Sequence, residues 1–217
     1  MAVVYQESVG DGWLVLWRIA ETAEELARLV TIEELEAAQR LGNLSRRRQW
    51  LAWRAALHGI LPDVRTGYRK SGAPILKPTA GEKEGSSGFI GVSHTHDLAT
   101  VIFSPGEPCA VDIERLDRNF DRVSSRYISN SEMQLPCSRE AWFPVALWCA
   151  KETLYKQAGM EGVDFRDDIR IETIDCKPDM ENDAPQGRIT GRIRGHRSVP
   201  LRFFTFDGHL VVHTVAR

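Results

Sequence analysis

The alternation of apolar and polar positions in the first half of the chain predicts a strand, then helices, then strands. The segment "WLVLWRIAE" at 13–21 is a nearly continuous apolar run, as is typical of a buried strand. Thr22 and Thr31 each stand three residues before a Glu, a pattern that begins helices. Apolar positions near helical spacing predict a third helix over 45–61, with Pro62 directly after it. Short strands are predicted for "APILK", "FIGVSH" and "ATVIFS".

The second half repeats this order and ends in strands alone. "CAVDIERL" at 109–116 predicts an apolar strand, and good helical periodicity over 139–159 predicts the strongest helix of the chain. Pro144 suits the first turns of that helix and Gly159 suits its C-cap. "DIRIETID", "GRITGRIRG", "LRFFTFDG" and "HLVVHTVAR" follow, separated by Gly or Asp-Gly turns, and predict an antiparallel meander. The predicted fold class is therefore α+β.

Composition narrows the class of protein. The chain has 217 residues, 42% of them apolar and 27% charged, as expected for a soluble protein of one large domain or two smaller ones. Its net charge of -2 gives no reason to expect a nucleic-acid partner. The four cysteines are widely spaced and lack zinc-site spacing, which predicts reduced thiols. Without a basic leader or a run of roughly 18 apolar residues, we expect a cytoplasmic protein without a membrane partner.

Two carboxylates share one face of the strand that contains "AVDIER". Asp112 and Glu114 are two residues apart, so their side chains project together, while Val111 and Ile113 face the other way. Such a pair repels unless a cation lies between, and oxygen ligands of this kind suit Mg²⁺. The alternative is an exposed face on which Glu114 pairs with a following arginine, Arg115 or Arg118.

The predicted long helix places three charged residues within about one turn. In "WCAKETLYKQAG" these are Lys151, Glu152 and Lys156, and Glu152 borders packed surface because Trp148 precedes it by one turn. One reading is a solvated salt bridge between Glu152 and Lys156, worth a few tenths of a kcal/mol. The other is one wall of a phosphate site.

A serine and a histidine end another predicted strand, in "GVSHTHD". His94 and His96 would share a face, but the zinc pattern HxHxDH fails because Asp97 comes one place early. Ser93 and His94 could instead donate hydrogen bonds to a phosphate, since both carry donors and an imidazolium adds charge. A structural histidine is the alternative.

Basic residues concentrate in the third predicted helix and in the turn after it. Arg47 and Arg54 are seven residues apart and would share a helix face, as needed to grip an elongated anion. Solvated charge on an amphipathic helix is the alternative. Arg69 and Lys70 precede the Gly72-Ala73-Pro74 turn, which would position any anion that they bind.

The order of these elements resembles one family, the Sfp-type 4′-phosphopantetheinyl transferases. The most specific motifs are "VDIE" at 111–114 and "WCAKETLYK" at 148–156, with "VSHT" at 92–95 in support. The resemblance implies transfer of the phosphopantetheine arm of coenzyme A to a serine of an apo acyl or peptidyl carrier protein, with release of 3′,5′-ADP. It also implies a monomer.

The resemblance implies a role for each candidate residue. Asp112, Glu114 and Glu152 would bind Mg²⁺. Glu152 would also be the catalytic base, and Lys156 would contact the phosphate and assist the leaving group. The remaining contacts to coenzyme A would come from Arg47, Arg54, Arg69, Lys70, Ser93, His94 and Lys151.

The family's fold and its usual motifs complete the expectations. The resemblance implies two similar α+β lobes, about 1–105 and 106–217, related by a pseudo-twofold axis, with the active site in the cleft between them. Ala73 stands where the family often has a lysine, and Ala110 where a glycine is common. Ala73 motivates the alternative of a catalytically silent coenzyme A-binding protein on the same fold. Retention of the three carboxylates and Lys156 argues against it. A third possibility is an unrelated interaction protein whose motif matches are coincidental.

Overall fold

The computed structural model describes residues 2–77, 88–120, 122–178 and 185–215. The chain divides into two compact units, 1–108 and 109–217, and the described part of each contains helix and antiparallel sheet. The predicted α+β class is confirmed. Within the described ranges, no helix is long and apolar enough to cross a membrane.

In its described residues, the N-terminal unit contains a four-stranded antiparallel sheet, a two-stranded hairpin, three α-helices and one short 3-10 helix. The sheet has the order β1-β2-β6-β5, and β3 pairs with β4 in the hairpin. The third helix packs on β2, β5 and β6. The strands are β1 (Val3–Val9), β2 (Gly12–Arg18), β3 (Arg65–Tyr68), β4 (Pro74–Lys77), β5 (Phe89–His94) and β6 (Leu98–Ser104), and the helices are α1 (Ala23–Leu26), α2 (Ile32–Gln39) and α3 (Leu44–Ile60).

The predicted helix starts in this unit are confirmed by their caps. Thr22 and Thr31 each accept a hydrogen bond from the backbone N–H three residues later, and the Glu at that position accepts one from the threonine N–H. The third helix begins at Leu44, one residue before its predicted start, because the Asn43 side chain caps it. The strands β1 and β3 were not predicted from the sequence.

In its described residues, the C-terminal unit contains a five-stranded antiparallel sheet covered by one long helix. Its strands are β7 (Cys109–Arg115), β8 (Ile169–Pro178), β9 (Pro185–Ile193), β10 (Val199–Phe206) and β11 (His209–Val215), in the order β7-β11-β10-β9-β8. The predicted meander is confirmed, and its last strand returns to pair with β7.

The helix α4 (Phe143–Ala158) packs against this sheet. It begins four residues later than predicted and has Pro144 in its first turn. Gly159 ends it in the left-handed conformation at φ 60°, as a C-cap glycine does. Ala146, Leu147 and Ala150 of α4 are completely buried in a core that the sheet supplies with isoleucine and leucine side chains.

The prediction that all four cysteines are reduced is wrong, because Cys137 is disulfide-bonded. Cys109 and Cys149 are buried thiols outside any disulfide. Wide spacing along a sequence does not prevent two thiols from meeting in the folded chain, so spacing alone could not exclude a disulfide.

Candidate functional site

Asp112 and Glu114 lie on the face of the C-terminal sheet that packs against α4. Their cross-strand neighbours on β11 are Val212 and Leu210, both buried in the core beneath that helix. Asp112 is only 5% exposed. The period-two spacing of the motif therefore places both carboxylates on one face, as predicted, but at the edge of the core and not on an exposed strand.

The α4 helix presents Lys156 to the first of these carboxylates. The Lys156 Nζ donates a hydrogen bond to Asp112 Oδ1 at 2.7 Å and one to the Val111 carbonyl at 3.3 Å. The contact joins β7 to the last turns of α4. It brings the two motifs, which are far apart in sequence, into direct contact.

Glu114 pairs with Arg118, which forms an ion pair with its Oε1. The nearby Trp148 side chain opposes the effect of burial on the pKa of Glu114. Arg115 pairs with Asp117 instead. The partner of Glu114 is therefore Arg118 and not Arg115.

The carboxylates at this site repel one another. Burial raises the pKa of Glu152, and the negative charges of Asp112 and Glu114 raise it further. Burial also raises the pKa of Glu114, again with a contribution from Asp112. Burial by itself would lower the pKa of Lys156, but the charge of Asp112 and their hydrogen bond outweigh it and raise the value. The site therefore concentrates negative charge that a cation would relieve.

The residues of this site match the ligand chemistry of Mg²⁺. Asp112, Glu114 and Glu152 supply only oxygen donors, which are the ligands that a hard cation prefers. The charge of Asp112 contributes to the raised pKa of both Glu114 and Glu152. Among the described residues no three metal-binding side chains stand at coordination spacing, and Asp112 and Glu114 are paired with Lys156 and Arg118. The donor set fits the ion, and coordination requires these pairs to open.

Residues 108–199 match the family model of the 4′-phosphopantetheinyl transferase superfamily. This match confirms the resemblance that the motifs indicated. It covers β7, α4, β8 and β9 and thus all four residues of the candidate site, Asp112, Glu114, Glu152 and Lys156. It indicates phosphopantetheinyl transfer in general terms. No curated protein is significantly similar to the chain.

Lys151, between these superfamily motif residues, is an internal residue. Its side chain is completely buried, and its Nζ donates to the carbonyls of Tyr127, Phe165 and Ile169 and to Glu132. Burial lowers the pKa of Lys151, although Glu132 opposes the effect. The structure gives no support to the predicted contact between Lys151 and coenzyme A, because the Lys151 ammonium is already saturated with acceptors inside the unit.

Arg54 is also structural. It is 1% exposed, and its guanidinium lies over the rings of Trp50 at 3.1 Å and Trp53 at 3.8 Å. It donates to the Tyr68 hydroxyl at 3.0 Å and lies 3.4 Å from Glu34. The structure therefore gives no support to the predicted contact between Arg54 and coenzyme A. Helical spacing shows which face a residue occupies but not whether that face is covered.

Arg47 is largely engaged within its own unit. Its guanidinium donates to the carbonyls of Ala38, Gln39 and Leu41, where α2 ends. Positive charge suits this end of a helix, because the last carbonyls are unpaired there. The predicted pairing of Arg47 with Arg54 around one anion does not form.

The other predicted coenzyme A residues are accessible. Arg69 and Lys70 are exposed in the turn between β3 and β4, where Gly72 adopts φ 85°. The turn is closed by hydrogen bonds between Arg69 and the Gly72 and Ala73 backbone. Ser93 is half-buried and His94 exposed at the end of β5. These residues stay predictions as phosphate ligands.

Two residues that contact this region, Trp148 and Glu132, were not assigned a role from the sequence. Trp148 borders Glu114, and its position one turn before Glu152 was a usable signal. Glu132 lies in a short 3-10 turn, Glu132–Gln134, and is 1% exposed. No periodic pattern surrounds Glu132, so nothing in the sequence distinguished it from a surface glutamate.

Proposed function

We propose that the chain transfers the 4′-phosphopantetheine arm of coenzyme A to a serine of an apo acyl or peptidyl carrier protein and releases 3′,5′-ADP. The observation that carries this proposal is the meeting of Asp112, Glu114, Glu152 and Lys156 at one place within the superfamily match. On the resemblance alone we also propose two similar lobes related by a pseudo-twofold axis, a monomer and a cytoplasmic location.

In the proposed reaction, the serine oxygen attacks the phosphorus that carries the pantetheine arm. A new O–P bond forms, the bond from that phosphorus to the bridging oxygen breaks, and 3′,5′-ADP departs with the bridging oxygen. Lys156 would bind the phosphate and neutralise charge on the departing group. Its raised pKa keeps Lys156 protonated at neutral pH, as this role requires.

Glu152 would accept the proton of the serine hydroxyl. Burial and the charge of Asp112 raise the pKa of Glu152, which makes its carboxylate a stronger base than an exposed glutamate. Its place on α4, one turn before Lys156, would hold the base and the cation on the same side of the helix.

Asp112, Glu114 and Glu152 would hold Mg²⁺. When bound, the ion would neutralise the pyrophosphate and polarise its oxygens. Asp112 would exchange Lys156 for the ion, which would free the ammonium for the phosphate. The accessible Ser93, His94, Arg69 and Lys70 are proposed as further contacts to the phosphates of coenzyme A.

The test is intact-mass analysis of an apo acyl carrier protein incubated with the full chain, coenzyme A and Mg²⁺. A parallel sample contains EDTA. We expect the carrier to gain one phosphopantetheine only when the metal is present. No gain with several apo carriers, although coenzyme A raises the melting temperature of the protein, would favour the silent coenzyme A-binding protein. In that case Ala73→Lys is the first variant to make.

A further inference from the structure

The buried pair of Lys151 and Glu132 connects α4 to three other segments of the C-terminal unit. Lys151 Nζ lies 2.8 Å from Glu132 Oε1 and 3.0 Å from Oε2. The ammonium also donates to the Tyr127 carbonyl at 2.6 Å and to the Phe165 and Ile169 carbonyls at 2.8 Å. One side chain of α4 therefore contacts the segment before the helix, the segment after it and the start of β8.

Glu132 is equally well satisfied. Its Oε2 accepts hydrogen bonds from the Ser129 N–H and hydroxyl, both at 2.8 Å, and its Oε1 accepts one from the Ile171 N–H at 2.8 Å. The carboxylate thus binds the irregular segment to β8 as well as to α4. Every oxygen of the pair has a partner, so the geometry of both side chains is fixed from several directions.

Such a pair is a poor source of net stability. Removing a carboxylate and an ammonium from water costs several kcal/mol per ion, and the attraction between them often only repays that cost. Apolar side chains of similar size would fill the same space without this penalty. The pair is therefore better explained by the geometry that it imposes than by the stability that it adds.

The hydrogen bonds of the Lys151–Glu132 pair limit the rotation of α4 about its own axis. Successive residues on a helix point about 100° apart, so a helix rotation that displaces Lys151 also displaces Glu152. Glu152 and Lys156 must face Asp112 for the site to form. Burial of the apolar side chains of α4 against the sheet is a non-directional interaction, whereas the hydrogen bonds of Lys151 are directional.

We infer that the Lys151–Glu132 pair is a positioning device that fixes the rotation of α4 and thereby holds Glu152 and Lys156 against Asp112. Lys151 and Glu132 are positioning residues and do not touch the substrate. The inference deepens the proposed function and rests on it for its kinetic consequence. Its structural consequence, the fixed rotation of α4, is testable without any transfer activity.

The test compares the full chain with Lys151→Met and with the double variant Lys151→Met/Glu132→Gln. The double variant leaves no unpaired buried charge, so it is the one expected to fold if the single variant does not. Ile189→Val is the matched control, because Ile189 lies in the same core and has no part in the pair. Each protein is assayed well below its melting temperature.

We expect kcat to fall about 100-fold in the double variant, the loss that a misplacement of about 1 Å produces. The KM for the carrier protein is expected to stay unchanged, and the Mg²⁺ concentration for half-maximal rate is expected to rise, because Glu152 is proposed to bind the ion. Amide hydrogen exchange over residues 143–158 should become faster. Ile189→Val should alter none of these values, although it removes a buried methyl group.

Wild-type kcat and Mg²⁺ dependence in the folded double variant would overturn the inference. So would unchanged exchange protection over residues 143–158. If the wild-type chain transfers nothing, the proposed function has failed, and the exchange measurement alone decides whether the pair fixes α4.

Discussion

Replacing Arg54 by methionine tests whether this arginine stabilises the fold or binds coenzyme A. The change keeps the length of the side chain but removes the guanidinium between Trp50 and Trp53, its hydrogen bond to Tyr68 and its approach to Glu34. We expect the N-terminal unit to lose stability while any site for coenzyme A that does not involve this residue keeps its affinity.

The expected decrease in the free energy of unfolding depends on which partners Glu34 keeps in the variant. Breaking a buried ion pair typically costs about 3–5 kcal/mol, mainly because the remaining charge is left alone. Glu34 keeps hydrogen bonds to His58 at 2.7 Å and to Thr66 at 2.9 Å, which lowers the cost toward the bottom of that range. Two desolvated cation–π contacts are lost as well, each worth about 2 kcal/mol or more in such surroundings. Methionine regains part of the packing around the two rings, so we expect a net loss of at least about 3 kcal/mol.

The assay is urea denaturation followed by tryptophan fluorescence, together with calorimetric titration of coenzyme A at a temperature where the variant is folded. Arg46→Met is the matched control, since Arg46 is exposed on the same helix, and its stability should change by less than about 0.5 kcal/mol. An Arg54→Met variant with unchanged stability and no coenzyme A binding would refute the structural role and restore the prediction made from sequence.

Three further predictions concern the two units. Glu152→Gln should abolish carrier modification in the intact-mass assay without lowering the melting temperature, because burial and the charge of Asp112 already disfavour its ionised form; wild-type turnover would contradict the assigned site. Lys156→Met should reduce kcat about 100-fold or more, as loss of a group that stabilises transition-state charge does, and a change in KM alone would contradict this role. The Glu34 hydrogen bond raises the pKa of His58 against the effect of burial, and hydrogen bonds lower the pKa of Glu34 although burial opposes them. Protonated His58 therefore stabilises the N-terminal unit below about pH 6.5, and this stabilisation is lost as pH rises through the folded pKa of His58. Ionised Glu34 stabilises the unit above about pH 4.5, and this stabilisation is lost as pH falls through the folded pKa of Glu34. The difference in urea midpoint between wild type and His58→Gln should be largest between those values, and a difference independent of pH would contradict the pairing.

Local patterns in the sequence were sufficient wherever neighbouring residues decide the outcome. Thr22 and Thr31 form capping boxes with the glutamates that follow them, and Gly159 ends α4 in the left-handed conformation, because these contacts involve residues within one turn. Period-two spacing likewise placed Asp112 and Glu114 on one face of β7, since successive side chains of a strand alternate.

Contacts between distant segments decided which basic side chains are buried, and sequence spacing could not predict this. Arg54, Lys151 and Lys156 are all basic residues on predicted helices, yet the fold buries the first two among aromatic rings and backbone carbonyls and leaves Lys156 30% exposed beside Asp112. Periodicity specifies the direction of a side chain on its own helix, but burial depends on which strands and loops come to cover that direction. The sequence by itself determined the motif residues and the elements that carry them. Only the tertiary structure decided which charges are solvated enough to meet a substrate, because desolvation and hydrogen-bond partners come from residues far away in the chain.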